Sequence, residues 1–286
     1  MERKRKIMWK PKNFEEYCGN EAVVKHLRKI ELPHCILLEG QSGVGKTTLA
    51  YLLAQELDAE IKHYNIANLS GIDNVRSISE ELKSIPFRHK PIVSIFDEIQ
   101  RMTKQAQEAL LIPTEEVQQC KYKYFIACTT ELKIIKPLQN RFEIYHLSPL
   151  KNTDKLIKLM EKEYGKLKPE ILEYILKIGR NIPRSIVKLY GKAKDCDDLD
   201  EVKNITIRES TGLEAINIAR ALVSGQTVNL DQFEGDWLEL YLFLVRYMSK
   251  VYYTKGEKID SEWFYVTPEL AKAKCYWLVQ DIRRTQ

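Results

Sequence analysis

The sequence lacks a long apolar run and a secretory signal. No apolar segment approaches the roughly 20 residues that a bilayer-spanning helix needs, and the basic start MERKRKIMWKPKNF is not followed by an apolar stretch. The six cysteines form no C-x-x-C pair and have no histidine at ligand spacing, which argues against zinc and disulfides. We therefore expect a cytoplasmic protein with no membrane partner.

A strong excess of one charge is also absent. The chain has 45 basic and 40 acidic residues, which gives a net charge of only +5. This charge permits nucleic-acid binding without establishing it. The sequence contains no internal repeat and no low-complexity tract. A chain of 286 residues can bury a large core and is long enough for two or three domains.

The first half of the sequence alternates short apolar segments with segments of helical periodicity. This alternation predicts an α/β domain with a parallel sheet over residues 1–147. The predicted strands are CILLEG, EIKHYNI, PIVSIFDE, KYFIACTT and FEIYHL. The segments TTLAYLLAQEL and VRSISEELKSI place apolar residues at helical spacing and are the predicted crossover helices.

The second half has helical periodicity only. Residues 148–204 are predicted to form a small helical domain from the three segments TDKLIKLMEKEYG, KPEILEYILKIG and PRSIVKLYGKAK. The polar, acidic stretch from Lys192 to Asn204 is predicted to be a linker. A third, all-helical domain is predicted over residues 205–286.

The segment GQSGVGKT follows a predicted strand and opens a predicted helix, the context that a phosphate-binding P-loop requires. Its glycines let backbone N–H groups turn toward phosphate oxygens, and the helix N-terminus adds partial positive charge. Lys46 is predicted to reach the β and γ phosphates of ATP, and the Thr47 hydroxyl to bind Mg²⁺. The predicted nucleotide-binding loop comprises Gly40, Gln41, Ser42, Gly43, Val44, Gly45, Lys46, Thr47 and Thr48.

Two further predicted strands end in polar side chains. PIVSIFDEIQ delivers Asp97, predicted to hold Mg²⁺ through its water shell, and Glu98, predicted to polarise the attacking water as the general base. The alternative, a surface acidic pair, is disfavoured because adjacent carboxylates after a buried strand are costly without a cation or solvent. FIACTT places Thr129 or Thr130 beside the γ phosphate.

Three further segments are distinctive: WKPKNFEEYCGN near the start of the sequence, NIANLSGIDNVRSI and IIKPLQNRFEIYHL. Together they resemble the clamp-loader group of AAA+ ATPases, in particular replication factor C small subunits and the ATPase subunit of phage clamp loaders. The resemblance covers nearly the whole chain. It implies an AAA+ P-loop domain, a helical lid over residues 148–204 and a helical collar over residues 205–286.

The resemblance also implies roles for individual residues. Arg141 matches the arginine finger that enters a neighbouring subunit's site, and Arg184 matches the second sensor, which acts in cis. Asn65 matches a polar residue that holds Glu98 inactive until DNA arrives. The predicted adenine contacts are Trp9, Pro11, Tyr17 and Cys18. The family's Ser-Arg-Cys triplet reads Asn140-Arg141-Phe142 in this sequence, and the Arg-Pro of its opening reads Lys10-Pro11.

The implied function is ATP-dependent loading of a ring-shaped sliding clamp onto primer–template DNA during replication, by subunits assembled in a ring of five. The implied location is the cytosol of a bacterium or a phage-infected host, in association with the nucleoid. The predicted DNA contacts are phosphate contacts from Arg76, Arg101, Thr103 and Lys104.

Two alternatives accompany this interpretation. A branch-migration helicase motor of the same superfamily shares the strings DEIQRMTKQAQEAL and ACTTELKIIKPLQNRF, but such motors carry a long hairpin where this chain has the short IPTEEVQQCKYK. A structural subunit without nucleotide hydrolysis is disfavoured by the intact Lys46, Thr47, Asp97 and Glu98.

Overall fold

The structure is a computed structural model that describes residues 8–68, 78, 90–206 and isolated positions between 217 and 278. Its contacts divide the chain into two compact units, Met1–Lys166 with Arg180–Gly191, and Leu167–Gly179 with Lys192–Gln286. Arg76, most of the predicted helix VRSISEELKSI and most of the predicted third domain lie outside the described residues. The predicted division at residues 147 and 204 therefore stays a prediction.

The first unit contains a five-stranded parallel sheet, which confirms the predicted α/β class. Its strands lie in the order β2-β3-β4-β1-β5, and every pair of neighbours is parallel. The strands are β1 Cys35–Gly40, β2 Glu60–Asn65, β3 Ile92–Asp97, β4 Lys123–Thr129 and β5 Glu143–Leu147. Because all strands run in one direction, the loops after β1, β3 and β4 leave the sheet at the same edge.

The central strands are buried on both faces, as their continuous apolar sequences predict. Neighbouring side chains of β1 alternate between two cores, with Leu37 in one and Ile36 and Leu38 in the other. In the first core the rings of Phe96 and Phe125 stack with centroids 4.2 Å apart. The two cores hold the sheet in place, and the candidate site lies at the edge where its strands end.

The helices whose full extent lies in the described part of the chain are α1 Glu21–Leu27, α2 Lys46–Glu56, α3 Lys104–Ala109, α4 Leu111–Gln118, α5 Lys136–Gln139, α6 Asp154–Tyr164, α7 Pro169–Gly179, α8 Pro183–Ala193 and α9 Leu199–Ile205. Short 3₁₀ turns cover Ile66–Asn68 and Ile99–Arg101. Among the described residues, no helix is long and apolar enough to cross a membrane.

The predicted linker is wrong in part, because α9 occupies Leu199–Ile205. Asp198 caps this helix, with its side-chain Oδ1 accepting a 2.8 Å hydrogen bond from the backbone N–H of Glu201. Asp200 and Glu201 lie in the first turn, where the partial positive charge of the helix N-terminus stabilises their carboxylates. Val202 is buried. The acidic composition that suggested a linker is therefore a helix-start signal.

Candidate functional site

The loop after β1 has the shape of a phosphate-binding loop. Gly43 and Gly45 adopt left-handed φ angles of 85° and 106°, which side chains rarely tolerate. A Cβ at Gly43 would lie 2.9 Å from Ile182 Cγ2 and 3.1 Å from Arg184 Cβ. The two glycines are therefore required for the turn, and Gly43 also for its close packing.

Lys46 lies inside this loop with 7% of its surface exposed. Its Nζ donates to the carbonyl oxygens of Gly40 at 2.7 Å and Gln41 at 3.0 Å. Burial lowers the pKa of Lys46, and neighbouring charges act on it more weakly. The ammonium group is thus held at the loop, where it can exchange carbonyl partners for phosphate oxygens.

The structure brings Thr47 and Asp97 together. The Thr47 hydroxyl donates to Asp97 Oδ2 at 3.0 Å, and Asp97 Oδ1 accepts from the Glu98 N–H at 3.1 Å. The described residues contain no group of three or more His, Cys, Asp or Glu side chains that could hold a metal by themselves. One hydroxyl and one carboxylate fit Mg²⁺, which is usually held by few protein oxygens together with phosphates and water.

Glu98 follows β3 in a left-handed conformation, with φ 59°, an unusual backbone for a residue other than glycine. Its carboxylate forms an ion pair with Arg101, with Oε2 and Nε 2.5 Å apart, although Oε2 is buried and makes no hydrogen bond within the described structure. Asn65 pairs in register with Asp97, and its Oδ1 accepts from the Ala67 N–H at 3.1 Å. In the structure the Glu98 carboxylate therefore pairs with Arg101. The idea that Asn65 holds Glu98 inactive stays a prediction.

A glutamine connects the two threonines at the end of β4. Thr129 is fully buried, and its hydroxyl lies 2.6 Å from Glu131 O and 3.0 Å from Gln100 Oε1, two acceptors for its single proton. Gln100 Nε2 in turn donates to Thr130 Oγ1 at 3.0 Å. Thr130 is the exposed member of the pair. No sequence motif indicates Gln100, whose role depends on the packing of two strands.

Arg184 meets the P-loop from the start of α8. Its backbone N–H donates to Gly43 O at 3.2 Å. A small cavity of about 50 Å³ brings together the phosphate-side residues predicted from sequence. It is lined by Ser42, Gly43, Gly45, Lys46, Thr47, Thr48, Asp97, Glu98, Cys128, Thr129, Thr130 and Arg184. The structure thus places Arg184 beside the loop that is predicted to bind the nucleotide.

A larger cavity of about 490 Å³ adjoins the P-loop, and all four predicted adenine contacts line it: Trp9, Pro11, Tyr17 and Cys18. Burial raises the pKa of the Cys18 thiol to about 11 and the pKa of Tyr17 beyond its usual range. Sequence reasoning missed Tyr51 and His63, whose rings lie 5.7 Å apart in the same lining. Tyr51 follows Thr47 by one turn of α2, a spacing that could have indicated it.

Arg141 is absent from the described linings of both cavities. Its Nη1 donates to Pro137 O at 2.8 Å, and its Nη2 pairs with Glu115. Its Nε is buried without a hydrogen-bond partner within the described structure. Gln118 Nε2 also donates to Arg141 O at 2.7 Å. The guanidinium is therefore held by its own chain, away from its own P-loop.

The predicted DNA contacts fall at and before the start of α3. Arg101 is 57% exposed in its side chain and pairs with Glu98. Lys104 is exposed. Thr103 caps α3, with its Oγ1 accepting from the Ala106 N–H at 3.2 Å. The Thr103 hydroxyl thus has a structural role at the helix start, and DNA contact by any of these residues stays a prediction.

Residues 36–150 match the family model described as "ATPase family associated with various cellular activities (AAA)". The matched range contains the P-loop, both carboxylates and the two threonines that end β4. The chain therefore contains an AAA ATPase domain.

The chain is also homologous to replication factor C small subunits. It is 30% identical to that of Methanococcus vannielii over 195 residues, 63% of this chain and 61% of the relative. The subunit of Methanocella arvoryzae is 30% identical over 206 residues, which cover 67% and 63% of the two chains. The alignments thus span somewhat less than two thirds of these relatives' length.

Solved structures with a similar fold include the Thermotoga maritima RuvB Holliday junction branch migration motor. The TM-score is 0.57 at 23% identity, over 87% of this chain and 99% of that chain. A single-substitution form of the same RuvB gives a TM-score of 0.59 at 23% identity, with 92% and 90% of the two chains covered. At this identity the likeness establishes a shared fold.

Proposed function

We propose that the protein is an ATP-hydrolysing subunit of a clamp loader, which places a ring-shaped sliding clamp on primer–template DNA. The observation that carries the proposal is the convergence of Lys46, Thr47, Asp97, Glu98 and Arg184 on one cavity beside the P-loop. Homology to replication factor C small subunits supports the choice of clamp loading among the activities of AAA ATPases.

The residues of this cavity supply the parts that phosphoryl transfer needs. Lys46 exchanges the carbonyls of Gly40 and Gln41 for phosphate oxygens of ATP. Thr47 and Asp97 hold Mg²⁺, which neutralises charge on the phosphates when bound. Glu98 accepts the proton of the attacking water. Arg184 contacts the phosphates from the start of α8.

The ion pair between Glu98 and Arg101 suggests how DNA stimulates hydrolysis. While its carboxylate is paired with the guanidinium, Glu98 is less available to orient a water molecule. A DNA phosphate that binds Arg101 competes for the same guanidinium and releases the carboxylate. Arg76, Thr103 and Lys104 complete the proposed DNA surface. Contacts of this kind detect charge and duplex shape, as loading at any primer requires.

Each nucleotide site is proposed to be completed by a residue of the neighbouring subunit in the assembly. Arg141 is proposed to enter the nucleotide site of a neighbouring subunit, which requires it to leave Glu115 and Pro137 O. A finger supplied in trans makes hydrolysis depend on the ring of subunits, and an arginine finger contributes on the order of 10³–10⁵ in rate. The remaining proposed partners are the sliding clamp and further loader subunits, in the cytosol.

A branch-migration motor is the second candidate, because the fold resembles RuvB over most of the chain. The connection between β3 and β4, residues 98–122, is fully described and holds a 3₁₀ turn, α3 and α4. It contains no β-hairpin of the kind that such motors carry. This segment favours clamp loading.

The two candidates are separated by the DNA product. The chain, with the clamp and partner subunits of its replication system, should place the clamp on primed circular DNA in an ATP-dependent reaction. The same preparation should leave a four-way junction intact. Branch migration without clamp loading would reverse the assignment. The variant Glu98→Gln is the control, since it should bind ATP and fail to turn over.

A further inference from the structure

A second concave surface lies beside α1 and is separate from the P-loop. It encloses about 380 Å³, within the roughly 300–1,000 Å³ range of small-molecule sites. Four cationic side chains and one carboxylate contribute to its lining. The charged members are Lys25, Arg28, Lys29, Lys155 and Glu21. The lining therefore carries more positive than negative charge, although the whole chain is nearly balanced in charge.

Two of the cations are held in place by other groups. Arg28 Nε donates to Glu56 Oε1 at 2.8 Å, and the Arg28 guanidinium carbon lies 4.6 Å from the ring centroid of Phe14. Lys155 Nζ donates to Tyr17 O at 2.7 Å. An ammonium group has three N–H donors, so this bond leaves Lys155 able to bind a second acceptor. The wall of the cavity is thus preorganised.

The other two cations, Lys25 and Lys29, have no ion pair or side-chain hydrogen bond within the described part of the chain. They lie four residues apart, Lys25 in the last turn of α1 and Lys29 two residues beyond its end. Both side chains are exposed and line the same cavity. An anion in this cavity would be attracted by both ammonium groups.

We propose that this cavity binds phosphate groups, supplied either by a free nucleotide or by a nucleic-acid backbone. Lysine ammonium groups act as point charges for phosphate, and arginine adds directional donors. The inference does not rest on the proposed ATPase function.

Tyr17 gives the cavity a connection to the nucleotide site. The residue lines both cavities. Its carbonyl accepts from Lys155, and its hydroxyl lies 3.5 Å from Gly45 O of the P-loop. A phosphate group bound by Lys155 would therefore act on a residue that also forms a wall of the nucleotide cavity.

The test is pyrophosphate binding to the full chain carrying Lys46→Ala, which removes the P-loop cation. Calorimetry at constant ionic strength should show saturable binding. Adding Lys25→Ala and Lys29→Ala should weaken it by roughly tenfold or more, because two charge-assisted contacts are lost. Arginine at both positions should retain binding. Adding Lys121→Ala and Lys133→Ala instead removes two exposed lysines elsewhere and should leave the affinity unchanged.

Absence of saturable binding in the Lys46→Ala chain overturns the proposal, as does equal weakening by the two lysine pairs. Competition then identifies the source of the phosphate. Displacement of pyrophosphate by ADP indicates a free nucleotide, and displacement by a short single-stranded oligonucleotide indicates a nucleic acid. A glutamate-rich peptide that displaces pyrophosphate more effectively than either would contradict phosphate specificity.

Discussion

Thr47 donates a 3.0 Å hydrogen bond to Asp97, which joins the first residues of α2 to the end of β3. Thr47 belongs to the P-loop, whereas Asp97 lies 50 residues later in the chain. The parallel sheet brings them together, because β1 and β3 both end at the same edge. The two oxygen-bearing side chains that are proposed to hold Mg²⁺ are thereby placed side by side next to the phosphate-binding loop.

Loss of the Thr47 hydroxyl should therefore change the Mg²⁺ dependence of hydrolysis. Thr47→Ala should raise the Mg²⁺ concentration for half-maximal ATPase by on the order of tenfold, equivalent to about 1.4 kcal/mol of binding energy. Thr47→Ser keeps the hydroxyl and should stay close to the wild type. Mg²⁺ titrations at fixed ATP measure the difference. Equal behaviour of the two variants would remove Thr47 from the metal site.

Arg101→Ala should raise the ATPase rate measured without DNA. Both members of its pair with Glu98 are partly exposed, and exposed ion pairs contribute ~0.2–1 kcal/mol, so a rise of roughly two- to fivefold is expected. DNA stimulation should fall in the same variant. Lys104→Ala is the matched control, because it removes an exposed cation that forms no ion pair with Glu98 in the described structure. This variant should lower the stimulation by DNA and leave the DNA-free rate unchanged.

A lower DNA-free rate for Arg101→Ala would contradict release of the Glu98 carboxylate.

Gln107→Ala should destabilise the first unit. This buried side chain donates to Met102 O at 3.1 Å and accepts from the Ile135 N–H at 2.8 Å. Its removal leaves a buried donor and acceptor without partners, at a cost of ~1–3 kcal/mol for each unsatisfied group. Urea unfolding measures the loss. Gln105→Ala, an exposed position of the same helix, should change the free energy of unfolding by no more than about 0.5 kcal/mol.

Arg141→Ala should leave ATP binding by the isolated subunit intact and reduce hydrolysis in the assembly by about three decades, the lower end of the range for arginine fingers. Mixing tests whether the finger acts in trans. Subunits carrying Arg141→Ala should regain activity with partners that carry Lys46→Ala and an intact Arg141. If mixtures stay inactive, the role between subunits is wrong. Weaker ATP binding by isolated Arg141→Ala would indicate a role in cis.

The parts of the site that depend on local sequence could be predicted. Gly43, Gly45 and Lys46 follow a fixed motif, and Asp97 follows an apolar run that is typical of a buried strand in a parallel sheet. Their geometry is set by a strand, a tight turn and a helix start, all of which leave composition signals. The sheet, the P-loop and the approach of the carboxylate were therefore predictable.

The contacts that depend on tertiary packing were not predictable from motifs. Gln100 joins Thr129 to Thr130 only because the turn after β3 lies against the end of β4. His63 lines the larger cavity from an edge strand that has no fully buried residue, so its sequence does not distinguish a site from solvent. The helix after Asp198 was missed because its acidic composition is also that of a linker. In each case the deciding information is a neighbour in space.

The most direct test of the proposed function is the ATPase rate of the full chain with the clamp and primed DNA of its replication system, added singly and together. The proposal predicts that the rate rises most when both are present, that a four-way junction does not replace primed DNA, and that Lys46→Ala abolishes the activity. An ATPase rate that does not change when the clamp is added and rises equally with any DNA would contradict clamp loading.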